Sequence, residues 1–228
     1  KAFLWRSRQP APEEFPGVPK LAYLKDLNWG VLRSDSSLEP GLVLGIIGRK
    51  GPITHHCQQD IGSFELHARG ELFLLDPGYH KPSTEVHNVP LIAGKGQLKR
   101  KKGVITNSFT RGKWRGMIID ATNAYSHTAN RVKRHFVMYD NKAVIILDDI
   151  RPKTENSHIK TLYQSAYQPV YTDSKSGPIK IKGKENSLLL QFFGPEKKIG
   201  IVGPNGFGDS WIMDNWRQEG YISWFTVY

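Results

Sequence analysis

The chain has 228 residues, a formal charge of +11, and 39% hydrophobic and 11% aromatic content. That composition supports a sizeable core and excludes disorder as a description of the whole chain; no apolar run reaches the length of a membrane-spanning helix. The charge points to a polyanionic partner, whether nucleic acid, anionic membrane or acidic polysaccharide, and the lone cysteine, Cys57, excludes an internal disulfide.

Residues 1–20 carry Pro10, Pro12, Pro16 and Pro19 together with Glu13 and Glu14, and read as an extended linker or strap. The opening run Lys1 to Trp5 is too short for a signal peptide. A start without methionine reads as a processed or excised chain. From Leu21 onward the punctuation is that of β structure. Strands are predicted at 28–33 and at 41–47, the latter apolar throughout and so expected to be covered on both faces. The runs 63–68 and 71–75, joined by Arg69-Gly70, predict a hairpin. Strands follow at 89–93, 104–110 and 114–121. The runs 131–139 and 143–147 flank Asp140-Asn141-Lys142, a second hairpin signal. Runs at 158–166, 178–181, 187–193, 198–202 and 221–227 complete the spacing. No long segment has helical period. The prediction for 21–228 is one all-β domain, a large antiparallel β-sandwich of two many-stranded sheets with little or no helix.

Two further features have plain readings. The glycines of 203–208 lack the Lys-Ser/Thr of a phosphate loop, and no helix pattern follows them. The basic runs Lys99-Arg100-Lys101-Lys102 and Lys180, Lys182, Lys184 read as a solvated turn and the wet face of a strand. Nucleic-acid binding is disfavoured, because no recognition helix or RNA motif accompanies them.

The chemistry-bearing residues gather at 54–88. Five of the eight histidines lie there (His55, His56, His67, His80 and His87), with Cys57, Asp60 and Asp76. A hairpin brings the residue before its first strand beside the residue after its second, so His56 and Gln58 are expected next to Asp76, with His87 one short loop later. Imidazole and carboxylate suit zinc. Asp76 and His87 are candidate ligands, and His55, His56, Cys57 and Gln58 are candidates for a third. Asp76 before Pro77-Gly78 equally suits a turn. For proton transfer near neutral pH the candidates are His56, with Tyr79 and Tyr125 as partners. The plain alternative for both tyrosines is packing with a bonded hydroxyl. Arg131 and Arg134 are candidates for binding carboxylates, or for sheet-surface salt bridges.

The run His56-Cys57-Gln58-Gln59-Asp60-Ile61-Gly62-Ser63-Phe64-Glu65-Leu66, then Gly70-Glu71, Leu75-Asp76-Pro77-Gly78 and His87-Asn88, resembles the heparinase II/III-like polysaccharide lyases. Leu32-Arg33-Ser34 and the stretch from Asp120 to Asp149, with Tyr125, Arg134 and Asp148, extend the likeness more weakly over most of 21–228. The resemblance implies the C-terminal β-sandwich of an enzyme that breaks a uronic-acid-containing polysaccharide by β-elimination. The cleft is shared with an N-terminal α/α toroid, and the sandwich supplies a histidine that falls on His56. The location implied is periplasmic or extracellular. The family's structural zinc would fall on Asp76, His87 and position 58. Here Gln58 stands where the family has histidine, so zinc binding is expected to be weakened or lost, with a hydrogen-bond network holding the loop. The chain holds no run of amphipathic helices for a toroid. The expectation is therefore a fragment of a longer lyase, inactive alone, or a toroid on another chain, or a non-catalytic acidic-carbohydrate-binding or structural module. The Pro-rich start favours the fragment.

Overall fold

The computed structural model describes residues 17–39, 41–51, 57–76, 78, 82–173, 177–193, 198–204, 211–217 and 221–227, the last three strands by backbone and pairing. Among these the fold is all-β, with one 3₁₀ turn at Thr84–Val86 and no α-helix. No helix of the described residues is long and apolar enough to cross a membrane.

Two antiparallel sheets face each other. The first has the spatial order β1 (Leu21–Leu24), β2 (Trp29–Arg33), β3 (Leu42–Ile47), β4 (Phe64–Ala68), β5 (Glu71–Leu74), β11 (Ile159–Ser165), β16 (Trp211–Arg217) and β15 (Lys198–Pro204), with β6 (Pro90–Ile92) also paired to β11. The second runs β12 (Pro169–Tyr171), β13 (Ile179–Lys182), β14 (Ser187–Phe193), β17 (Tyr221–Val227), β10 (Ala143–Pro152), β9 (Ala129–Tyr139), β8 (Trp114–Asp120) and β7 (Val104–Arg111).

Period-two alternation builds the core between them. Leu42, Leu44 and Ile46 of β3 and Phe64, Leu66 and Ala68 of β4 point inward, against Met117, Phe136, Met138 and Ile146 of the second sheet. Phe64 meets Phe136 edge-on at 5.7 Å and Tyr163 at 6.2 Å, which ties the sheets at mid-core. At Gly30, a Cβ would lie 2.2 Å from Met117 Sδ, so the first sheet approaches the second closely only because that side chain is missing.

The predicted hairpin is β4–β5. Arg69 (φ 49°) and Gly70 (φ 80°) both take the left-handed conformation at its turn, as a tight two-residue hairpin turn of the I′ type requires. One β3 expectation changes. Val43, Gly45 and Ile47 point outward and are only half-buried, so its outer face is the floor of a groove and not a second core. Three strands were not anticipated: β1, β12 and β16. β10 also runs on through Asp148, Asp149 and Arg151 to Pro152.

Candidate functional site

The loop at 57–63 enters β4, Leu75 and Asp76 leave β5 toward Gly78, and His87-Asn88 follow the 3₁₀ turn. The hairpin and β3 bring these segments to one end of the first sheet. There a groove of about 260 Å³ opens on the sheet's outer face, lined by Trp29, Val31, Ile47, Gln58, Glu65 and Asp76 among others. Gln58 and Asp76 thus share a wall of it, as the hairpin topology predicts. His56 and Tyr79 lie outside the described residues, as do His55 and His80.

Asp76 organises the wall. Its Oδ2 lies 2.7 Å from His87 Nδ1 and 3.4 Å from Ser63 Oγ, and its Oδ1 accepts from the backbone N–H of Gly78 at 3.1 Å. The His87 side chain is fully buried, and its Nε2 meets no partner among the described residues. Gln58 donates from Nε2 to the Gly78 carbonyl at 2.8 Å. Gln58 and Asp76 therefore close the same turn from two sides.

Asn88 spaces the strands beneath. Its side-chain amide donates to the carbonyls of Phe64 at 2.6 Å and Leu75 at 3.0 Å, while its Oδ1 accepts from Gln164 N–H at 2.6 Å. One residue thereby ties β4, the end of β5 and β11 together directly under His87.

Arg134 and Asp148 form the buried base. They are cross-strand partners on β9 and β10, both fully buried, with Nε–Oδ1 at 2.6 Å and Nη2–Oδ2 at 3.2 Å. Arg134 Nη1 donates to the carbonyls of Gly62 at 2.6 Å and Asn88 at 2.5 Å. The guanidinium sits 5.8 Å from the Phe64 ring centroid and 5.5 Å from that of Phe136. Gly62 has φ +81°, and a Cβ there would come within 3.0 Å of Arg134 Cδ. Glycine is needed at 62 on both counts.

Tyr125 is fully buried too. Its hydroxyl donates to the Pro90 carbonyl at 2.6 Å and accepts from Gln97 Nε2 at 3.2 Å. Burial pushes its pKa well above the ordinary tyrosine value, and the Gln97 bond and the Arg134 charge offset only part of this. Gln97 also brackets Ile61, donating to its carbonyl at 2.7 Å and accepting from its N–H at 3.0 Å. On the loop's other side, Arg49 binds Asp60 at 2.6 Å and the Gln58 carbonyl at 2.9 Å. Tyr125 and Arg134 therefore stand behind the groove, closed to a ligand. Arg131 is at the surface, paired with Asp149 at 2.8 Å.

The described residues do not by themselves make a closed zinc site. Such a site draws on three or four protein donors. Among the described residues no three His, Cys, Asp or Glu side chains converge; Asp76 and His87 are bonded to each other, and the Gln58 amide is engaged by Gly78.

Sequence reasoning missed Asn88 as a strand spacer, and Gln97, Arg49 and Asp60 as loop anchors. Only the adjacency of Asn88 to His87 hinted at the first.

No family model and no curated protein matches the chain. Solved structures do, and the fold they share with it is that of a heparinase-like polysaccharide lyase domain. A mutant of heparan sulfate lyase HepC from Pedobacter heparinus superposes with TM-score 0.73 over 96% of this chain, at 15% identity. A structure of heparinase III gives 0.72 over 94% at 16% identity, and the heparinase III BT4657 gene product 0.66 over 88% at 18%. The chain spans only 37%, 37% and 34% of those three chains. At such identities the likeness is one of fold.

Proposed function

We propose that the chain is the β-sandwich domain of a polysaccharide lyase that cleaves a uronate-containing acidic polysaccharide by β-elimination. Its contribution is His56, presented to a cleft that an N-terminal α/α toroid completes. The observation that carries this reading is the fold shared with heparan sulfate lyase and heparinase III over nearly the whole chain. The gathering of 57–63, Asp76, Gly78 and 87–88 at one groove supports it.

β-Elimination needs a group that takes the proton beside the uronate carboxylate, a group that protonates the leaving oxygen, and neutralisation of the carboxylate. His56, two positions before Gln58 in the sequence, is assigned to proton transfer, with Tyr79 as a candidate partner on the loop after β5. Tyr125 and Arg134 are assigned positioning roles. Arg134 fixes the carbonyls of Gly62 and Asn88, and hence the two loops bearing Ser63 and His87. Tyr125 does the same through Gln97 and Pro90. The loops are held by the Asp76–His87 and Gln58–Gly78 hydrogen bonds in place of zinc. An enzyme of this kind works in the periplasm or outside the cell, and the 228 residues alone are expected to be inactive.

The test uses the full-length protein, toroid included, incubated with heparan sulfate, alginate and chondroitin. A rise in the ultraviolet absorbance of unsaturated uronate with one of them is expected. No rise with any uronate polymer, in a folded full-length protein, overturns the lyase reading. Salt-sensitive glycan binding without that rise favours a non-catalytic binding module.

A further inference from the structure

We propose that the outer face of the second sheet is a second glycan-binding surface, an aromatic platform edged with cations on the side of the sandwich away from the groove. It takes its ligand class, an acidic polysaccharide, from the function proposed above.

The register fixes what this face displays. Phe109, Gly116, Val137 and Ile145 form one cross-strand row over β7, β8, β9 and β10, and Arg111, Trp114, Tyr139 and Ala143 form the next. Asn107, Ile118, His135 and Leu147 make a third. Alternation sends the neighbours Met117, Ile119, Phe136 and Met138 into the core, so these rows face outward. Phe109 and Trp114 are 39% and 40% exposed. Their backbones are one strand and two residues apart, about 8 Å.

The aromatic rings are seated, not stray. Trp114 packs on Tyr139 with centroids 4.5 Å apart and planes 39° apart. Phe109 lies across the backbone of Gly116, where a Cβ would meet its ring carbons at 2.6 and 2.8 Å. Any larger residue at 116 would lift that ring off the sheet. Two aromatic residues are thus held against the surface and remain exposed.

Charge decides the occupant. Arg111 shares Trp114's row, Lys113 sits in the turn beside it, and Lys133, Arg131 and Arg151 follow on β9 and β10 of the same face. Asp149 pairs with Arg131 and Asp140 with Lys113, which leaves Arg111, Lys133 and Arg151 against Asp120. A sugar ring presents a C–H face that packs on an aromatic ring, and its carboxylate or sulfate groups pair with guanidinium and ammonium. These cations make the platform a seat for a polyanionic chain outside the cleft. It would hold a long polymer without touching the reacting bond.

The test is binding of the 228-residue chain to immobilised heparan sulfate, with neutral dextran as control, for wild type, Phe109→Ala/Trp114→Ala and Arg111→Gln, each checked for cooperative unfolding. The expected result is binding to heparan sulfate and not dextran, weakened roughly tenfold, or about 1.4 kcal/mol, in the double variant. Arg111→Gln should weaken binding with a shallower salt dependence, and it carries the test if the double variant does not fold. Wild-type affinity in folded variants overturns the proposal. So does a wild-type dimer that the double variant splits while heparan sulfate binding is unchanged, because a second copy then covers the face. The lyase reading fails separately, on the absence of unsaturated uronate in the full-length protein, whatever these variants bind.

Discussion

Replacing Arg134 with methionine should destabilise the domain strongly and loosen both site loops together. The side chain is fully buried and bonded to a fully buried Asp148. Its loss leaves that carboxylate without its cation, a change that costs about 3–5 kcal/mol in comparable buried pairs. Two backbone carbonyls, of Gly62 and Asn88, lose their donor at the same time, so the upper half of the range is expected. For a domain of this size, a loss of that order lowers Tm by about 6–20 °C. The assay is thermal and urea unfolding of wild type, Arg134→Met, Asp148→Leu and the double variant. The double variant should lose clearly less than the sum of the singles, since it leaves no buried charge unpaired. It should not recover fully, because the two carbonyls stay without a donor. A single-variant loss under about 1 kcal/mol, or strictly additive losses, would refute the claim that this pair is the base on which the site rests.

Other predictions address neighbouring parts. Gly62→Ala should cost roughly 1–2 kcal/mol for its left-handed conformation, and more if its methyl displaces Arg134; urea midpoints measure this. Gln58→His should create a metal site with Asp76 and His87. The variant should bind zinc by elemental analysis and gain Tm with added zinc, while wild type copurifies with no stoichiometric zinc and is indifferent to chelator. Zinc in wild type at one per chain would show that the hydrogen-bonded latch is not what holds the loops. Glu71 gives a pH test. Burial acts to raise its pKa, but the Asn186 side chain and the N–H groups of Lys184, Asn186 and Glu185 outweigh burial and lower it to about 2. A depressed carboxylate stabilises the fold above its unfolded value near ~4.3, and that contribution is lost as pH falls from about 4 to 2. Glu71→Gln should thus be less stable than wild type at pH 7, with the gap narrowing below about pH 4 and closing only near pH 2. A gap that widens in acid would contradict the assignment.

The fold was largely legible because most strands alternate cleanly or stand between turn residues. β10 was cut short in the reading because Asp148, Asp149 and Arg151 look like loop. Asp148 stays in the sheet's buried face because Arg134 stands directly opposite it on β9, a partner fourteen residues away that local pattern does not reveal. The outer face of β3 was read as covered because Val43 and Ile47 are apolar, whereas sequence cannot say whether a second layer lies over them. At the site, hairpin geometry was enough to place Gln58 beside Asp76. The anchors were not legible, since Gln97 reaches Ile61 across 36 positions and Asn88 reaches Gln164 across 76. Tyr125 and Arg134 have residue types that suit catalysis; only their burial distinguishes support from contact.

The most direct measurement of the central claim is the turnover of full-length protein carrying His56→Ala, on whichever uronate polymer the wild type cleaves. The account predicts that unsaturated uronate formation falls to background while Tm and polymer binding stay at wild-type values. Undiminished elimination by a folded His56→Ala protein would contradict it.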